Sequence, residues 1–174
     1  MPSPRFPVGP ATTNNDINDN RAMRIWIDAD ACPKMIKDFV YKVSRRLKVP
    51  VVLVANSGIH VPRSNLVSLV VVGREMDEAD RHILENCAVG DLVVTGDIPL
   101  ASSLIDKGVG AINPRGTVYT PDNVKEALAT RNLMQELREE GTMSGGPPPL
   151  GPRDREKFAN AIDRELTRLQ RDSP

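Results

Sequence analysis

Aromatic residues are scarce in this chain: one Trp, two Tyr and three Phe make up 3% of its length. A single-strand-binding platform stacks successive bases on several aromatic faces, so the composition argues against that class of function. Cysteine is equally thin. Cys32 and Cys87 are too few for a disulfide framework, and together with His60 and His82 they do not make a zinc spacing. Charge of one sign is missing too, since 23 Lys and Arg balance 23 Asp and Glu. No whole-molecule field therefore draws the chain to nucleic acid or to a membrane surface, and polyanion binding has to come from a local basic patch. No apolar run approaches the roughly 20 residues of a membrane span, and no basic segment followed by an apolar one opens the chain as a secretory signal does. Neither a G-x-x-x-x-G-K-[ST] loop nor a G-x-G-x-x-G after the first strand is present, which leaves nucleotide cradling unsupported. A soluble cytoplasmic protein with reduced cysteines and no membrane partner is expected.

What is present suits one α/β domain. A chain of 174 residues that is 40% hydrophobic can bury one sizeable core and is too short for two full-sized domains. Residues 1–22 hold Pro2, Pro4, Pro7, Gly9 and Pro10, then Thr, Asn and Asp, with little to bury, and read as a disordered leader. From residue 23 to about 140, short apolar runs alternate with amphipathic stretches. Ile25–Ile27, Val51–Val54, Leu66–Val72, Leu92–Val94 and Gly110–Ile112 read as strands of a buried, mostly parallel sheet, with helices between them. The first helix places Met35, Ile36, Phe39, Val40, Val43 and Leu47 on one face, with Pro33 in its first turn. Asp77–Cys87 and Ile98–Lys107 are the next two, the latter ended by Gly108, and Thr120-Pro121 starts a long helix to about Glu140. Residues 141–152, with Gly145, Gly146 and three prolines from Pro147, form a loop. Residues 153–174 carry a last helix whose stripe of Phe158, Ala159, Ile162, Leu166 and Leu169 has to dock on the domain or on another subunit, which leaves the oligomeric state open. The alternation predicts a doubly wound, three-layer α/β fold of about five strands.

The polar residues that carry information fall at strand ends. Asp28 and Asp30 follow the first apolar run, Asp77 and Asp80 open the helix after the third, and Asp97 follows Val93-Val94-Thr95-Gly96. In a parallel sheet these positions share one edge, where ligands of open α/β folds bind. Carboxylates crowded there repel one another unless a cation neutralises them, and oxygen-only ligands suit Mg²⁺ or Mn²⁺. Phosphodiester hydrolysis is the corresponding reaction, with Asp28 and Asp97 as the catalytic acids. Each acid also has a plainer role. Asp30, Asp77 and Asp97 can each cap a helix, Asp77 and Asp80 have the spacing of a capping box, and capping is compatible with metal binding. Asp28, ending a strand, has no evident capping duty. Lys34, Thr95 and Arg115 are the candidate substrate contacts, Lys34 and Arg115 together with the basic face of the first helix steering phosphates. Cys32, near a helix start, is either a thiol of lowered pKa or a small buried residue, and the second role is favoured because no histidine lies nearby in sequence.

Asp28-Ala29-Asp30-Ala31-Cys32-Pro33, the Gly73-x-x-x-Asp77-x-x-Asp80 stretch, Gly90-Asp91-Leu92-Val93-Val94-Thr95-Gly96-Asp97-Ile98-Pro99-Leu100-Ala101, Asn113-Pro114-Arg115-Gly116 and Ser144-Gly145-Gly146-Pro147 closely resemble the YaiI/YqxD family of uncharacterised bacterial proteins, over about Met23 to Leu169. That family is similar to PIN-like domains, which include many metal-dependent ribonucleases. The resemblance implies a parallel sheet with Asp28, Asp77 or Asp80, and Asp97 at its carboxyl edge. A related PIN-like branch has a second aspartate where Pro99 stands, so the resemblance leaves Asp30 to substitute or the site to hold one metal. Three readings follow: a Mg²⁺- or Mn²⁺-dependent nuclease acting on RNA, a non-catalytic RNA- or protein-binding module, and a phosphohydrolase of the haloacid dehalogenase type with Asp28 as nucleophile and Asp30 as acid/base. The last expects an acid soon after Gly96-Asp97, where Leu100, Ala101, Ser102 and Ser103 stand.

Overall fold

The computed structural model describes residues 22–146 and 148–172, so the expected leader lies outside the described residues except for Ala22. The elements in chain order are β1 (Ile25–Asp28), α1 (Lys34–Leu47), β2 (Val51–Ala55), β3 (Val67–Val71), α2 (Glu78–Asn86), β4 (Leu92–Val94), α3 (Ile98–Lys107), β5 (Gly110–Ile112), α4 (Pro121–Glu139) and α5 (Pro152–Asp172), with a short 3₁₀ turn at Ala29–Ala31. All five strands are parallel, in the order β3-β2-β1-β4-β5. The three inner strands are buried along their whole length because both faces of the sheet are covered, and only Asp28, the last residue of β1, interrupts their apolar sequence. Odd and even residues of β1 then serve different layers. Ile25 and Ile27 pack with Ile36, Val40 and Val43 of α1 and with Phe158, Ala161, Ile162 and Leu166 of α5. Trp26 faces the other way, with Ile83 of α2, Leu100 and Leu104 of α3 and Val124 of α4.

The chain winds outward from β1 to β3, then returns to the other side of β1 with β4. Between β1 and β4 the carboxyl ends therefore part, and such a switch point is where an open α/β sheet offers a crevice. Asp28 closes β1 opposite Val54 of β2, and Ile27 is paired with Val94 of β4.

Some connections differ from the sequence expectation. Residues 56–66 cross from β2 to β3 without a helix, since a stretch holding Gly58 and Pro62 has no helical periodicity, and Ile59 and Val61 pack onto the core instead. Pro33 sits just before α1, where its carbonyl accepts from the N–H groups of Ile36 and Lys37 (both 3.1 Å). The capping box of Asp77 and Asp80 does not form. Asp77 has φ 67°, in the left-handed region, and its side chain caps nothing, because a capping side chain needs an extended backbone at that position. Glu78 takes the polar role there and accepts from the N–H of Gly73 (2.8 Å). A capping box does open α4: Thr120 Oγ1 accepts from Asn123 N–H (3.1 Å) and Asn123 Oδ1 from Thr120 N–H (2.8 Å).

Candidate functional site

Thr95, the residue after β4, organises the carboxyl edge at the switch point. Its hydroxyl is buried, accepts from the N–H of Asp97 (3.0 Å) and donates to the carboxylate of Asp28. Asp97 in turn caps α3, accepting from Leu100 N–H at 2.8 Å. Asp80, in the first turn of α2, reaches Asp97 through a side-chain hydrogen bond. Three acids delivered by β1, α2 and the start of α3 thus meet through one hydrogen-bonded chain, Asp28–Thr95–Asp97–Asp80.

The electrostatics follow from that crowding. Burial, then the charges of Asp97 and Asp30, push Asp28 up to about 6 against the pull of the Thr95 hydrogen bond. Asp80 is pushed up to about 7 by burial, by the charges of Asp97 and Asp28, by its hydrogen bond to Asp97 and by the charge of Asp77. Crowded and partly buried, the acids of this cluster oppose one another's ionisation.

Asp30 and Asp77 lie at the exposed rim. Asp30 Oδ2 accepts from the N–H of Asn56 (2.8 Å), tying the turn after β1 to the end of β2. Asn56 is a polar residue of this edge that the sequence reading passed over, although it ends an apolar strand just as Asp28 does; its Oδ1 is buried without a hydrogen-bond partner. Lys34 is solvated beside Asp38 at 4.0 Å, while Lys37 folds back to the Ala29 carbonyl (3.3 Å). Arg115 is engaged within the fold: it donates to Asp154 Oδ2 (3.1 Å) and to the Pro148 carbonyl, holding the Gly/Pro-rich segment and the start of α5 against the end of β5. Cys32 is a buried thiol, pushed up to about 12 by burial, and no nucleophile. A cavity of 920 Å³ opens at the opposite, amino edge, around Met23, Lys48, Gly110 and Tyr119, and none of the clustered acids lines it. Beside it, buried Asp91 accepts from the N–H groups of Arg24 and Ala88 and from Trp26 Nε1, each at 3.0 Å, which is a structural duty.

Among the described residues no three His, Cys, Asp or Glu side chains stand in a ready ligating arrangement. The donor set nevertheless fits a hard cation. It is oxygen only, and its acids crowd one another so that Asp28 and Asp80 both resist ionising, a repulsion that a divalent ion would relieve.

Comparison with known proteins agrees with the strand-end motifs. Residues 26–168 match the family described as uncharacterised, YaiI/YqxD. The chain belongs to the YaiI/YqxD family. It is 51% identical to a UPF0178 protein of Myxococcus xanthus over 87% of this chain and 99% of that protein. It is likewise 51% identical to one of Pseudomonas fluorescens, over 87% of this chain and 100% of that protein. A relative from Maridesulfovibrio salexigens is 48% identical over 84% of this chain and 97% of its own length. No solved structure matches the chain significantly. No helix among the described residues is long and apolar enough to cross a membrane.

Proposed function

We propose that this YaiI/YqxD protein is a Mg²⁺- or Mn²⁺-dependent nuclease of the PIN-like kind that hydrolyses RNA in the cytoplasm. The observation that carries the reading is the meeting of Asp28, Asp80 and Asp97 at the switch point, where Asp28 and Asp80 are both held above the ordinary carboxylate range. Perturbed acids gathered at the ligand-binding edge of an α/β sheet are the physical signature of a candidate functional site. Asp28, Asp80 and Asp97 would hold the cation, with Asp30 and Asp77 at the rim. When bound, a divalent ion polarises a phosphodiester and makes water a stronger nucleophile. Thr95 orients two of the acids from below, and Lys34 offers a mobile positive charge to the phosphate backbone. The choice of RNA rests on the resemblance to PIN-like ribonucleases. A non-catalytic RNA-binding module is the second reading, favoured by Pro99 and by the absence of a preformed ligand set among the described residues.

The test is cleavage of mixed-sequence single-stranded RNA and DNA by purified protein with Mn²⁺, comparing wild type, Asp28→Asn and Asp97→Asn. Asparagine caps a helix as well as aspartate does, so Asp97→Asn should keep α3 and its RNA affinity while losing several kcal/mol of transition-state stabilisation, on the order of 10²-fold or more in rate. RNA bound without cleavage supports the binding module, and cleavage undiminished in both variants exposes a contaminant and removes the nuclease reading.

A further inference from the structure

The balanced charge of the whole chain hides an uneven distribution across the sheet. α1 and α5, which cover one face, carry eleven Lys and Arg against six Asp and Glu, whereas α2, α3 and α4 on the other carry five against eight. The acids of the first layer are mostly engaged. Among the described residues Asp38, Asp154, Asp163, Glu165 and Asp172 are all held in ion pairs.

Helical spacing gathers the cations of that layer into two rows. Along α1 and its last turn Lys34, Asp38, Lys42, Arg45 and Lys48 follow one another three or four positions apart, all exposed, opposite the buried Ile36, Val40 and Val43. Along α5 the exposed row is Arg153, Lys157, Asn160, Arg164, Thr167 and Arg171, with no acid in it. At 1.5 Å per residue the rows run for about 21 Å and about 27 Å. The ion pair of Arg46 with Asp163 (2.6 Å) and the edge-on contact of Phe39 with Phe158 (ring centroids 6.1 Å apart) hold the two helices side by side. Apart from Lys34, none of the cations in the rows forms an ion pair among the described residues. Like charges at such spacings repel one another along a helix, and a polyanion relieves that repulsion. The α1 row also begins at the acid cluster, for Lys37 in the same turn as Lys34 donates to the carbonyl of Ala29, between Asp28 and Asp30.

We propose that the α1–α5 layer binds the phosphodiester backbone of RNA, so that a strand lying along it meets the acid cluster at the Lys34 end. A basic stripe along helices is the electrostatic footprint of a nucleic-acid partner. The proposal rests on the RNA part of the reading above and not on cleavage. An anionic membrane surface fits less well, because the apolar faces of α1 and α5 are occupied by the core and Leu47 is the one exposed large apolar side chain these helices present among the described residues. Neither row holds an aromatic side chain. Its contacts therefore read phosphates and not bases, and binding is indifferent to sequence and weakens with salt.

Fluorescence anisotropy of a short, labelled, mixed-sequence single-stranded RNA, with the full chain in EDTA, measures binding apart from cleavage. Four phosphates engaged give a slope of about −3 for log affinity against log salt. Lys42→Glu with Arg45→Glu should weaken binding at least tenfold and flatten that slope. Lys125→Glu with Arg131→Glu makes the same change of charge on α4, across the sheet, and should leave affinity within about twofold, because such distances are screened at physiological salt. A circular-dichroism melt checks that each pair folds, and Lys42→Gln with Arg45→Gln, a milder change, should still weaken binding about threefold. Binding lost in the α1 pair supports the proposal even where Mn²⁺ then elicits no cleavage in the wild type, a result that removes the nuclease and keeps the surface. Mn²⁺-dependent cleavage undiminished in the α1 pair keeps the nuclease and overturns the surface. So do a wild type that binds no RNA at low salt, equal weakening by the α1 and α4 pairs, and binding to phosphatidylserine vesicles in place of RNA.

Discussion

Asp28 lies in a buried position where its charge is opposed by burial and by two neighbouring acids, and this has a thermodynamic consequence that can be read without any assay of activity. Its ordinary value is 3.8 and its folded value about 6, so between these the folded state binds a proton the unfolded state has released. Stability contributed by that proton is complete below about pH 4 and is lost as pH rises through 6. Asp28→Asn removes the charge, so in the presence of a chelator it should be more stable than wild type at pH 8, by about 1–3 kcal/mol. The gap should close near pH 4. Millimolar Mn²⁺ should reverse the order by raising the melting temperature of wild type alone. Urea titrations at the two pH values, with and without the ion, check this, and a wild type more stable than the variant at both pH values without metal would remove the idea of a strained, cation-seeking acid. The strand-end acids were legible because a carboxylate that terminates an apolar run has few other reasons to be there. Asp77 and Arg115 were not. The left-handed backbone that prevents Asp77 from capping shows in no residue pattern, and the partner of Arg115, Asp154, stands 39 positions further on.

Among the elements, strands and helices were readable where burial repeats at a fixed period, as in α1, whose Ile36, Val40 and Val43 reach the core. The crossover of residues 56–66 was not, because a segment that packs only Ile59 and Val61 carries too few apolar positions to show a period. The turn after β5 illustrates a different limit. Gly116 has φ 90°, and a Cβ there would stand 2.6 Å from the carbonyl carbon of Lys157 and 2.7 Å from the nitrogen of Phe158. Only glycine allows α5 to lie this close, a fact invisible until the helix is in place. Gly116→Ala has to bear both the left-handed conformation and a collision with backbone, a cost of roughly 2–4 kcal/mol. Chemical denaturation should show that loss, and an unchanged midpoint would mean that α5 sits further from the turn than the structure places it.

At the scale of the whole molecule, a parallel α/β chain was foreseeable and its strand order was not, since the same alternation of runs permits several windings. The order decides the candidate site, because only the return of β4 to the side of β1 brings Thr95 and Asp97 to Asp28. The role of α5 was similarly open, its stripe being as suited to a second subunit as to its own domain. It is part of this core: Phe158, Ala161, Ile162 and Leu166 are fully buried, against α1 and the β1 face that α1 covers. Burying the three large side chains contributes roughly 1.5–3 kcal/mol each, which together rivals the total stability of about 5–15 kcal/mol that a domain has. Leu166→Ala should therefore lower stability by about 2–5 kcal/mol while leaving one cooperative transition. Ending the chain at Gly151 removes the helix altogether, and should abolish the transition and the near-ultraviolet dichroism of packed side chains. A shortened chain that still unfolds cooperatively at the wild-type midpoint would show that the sheet and its other helices form the folding unit without α5.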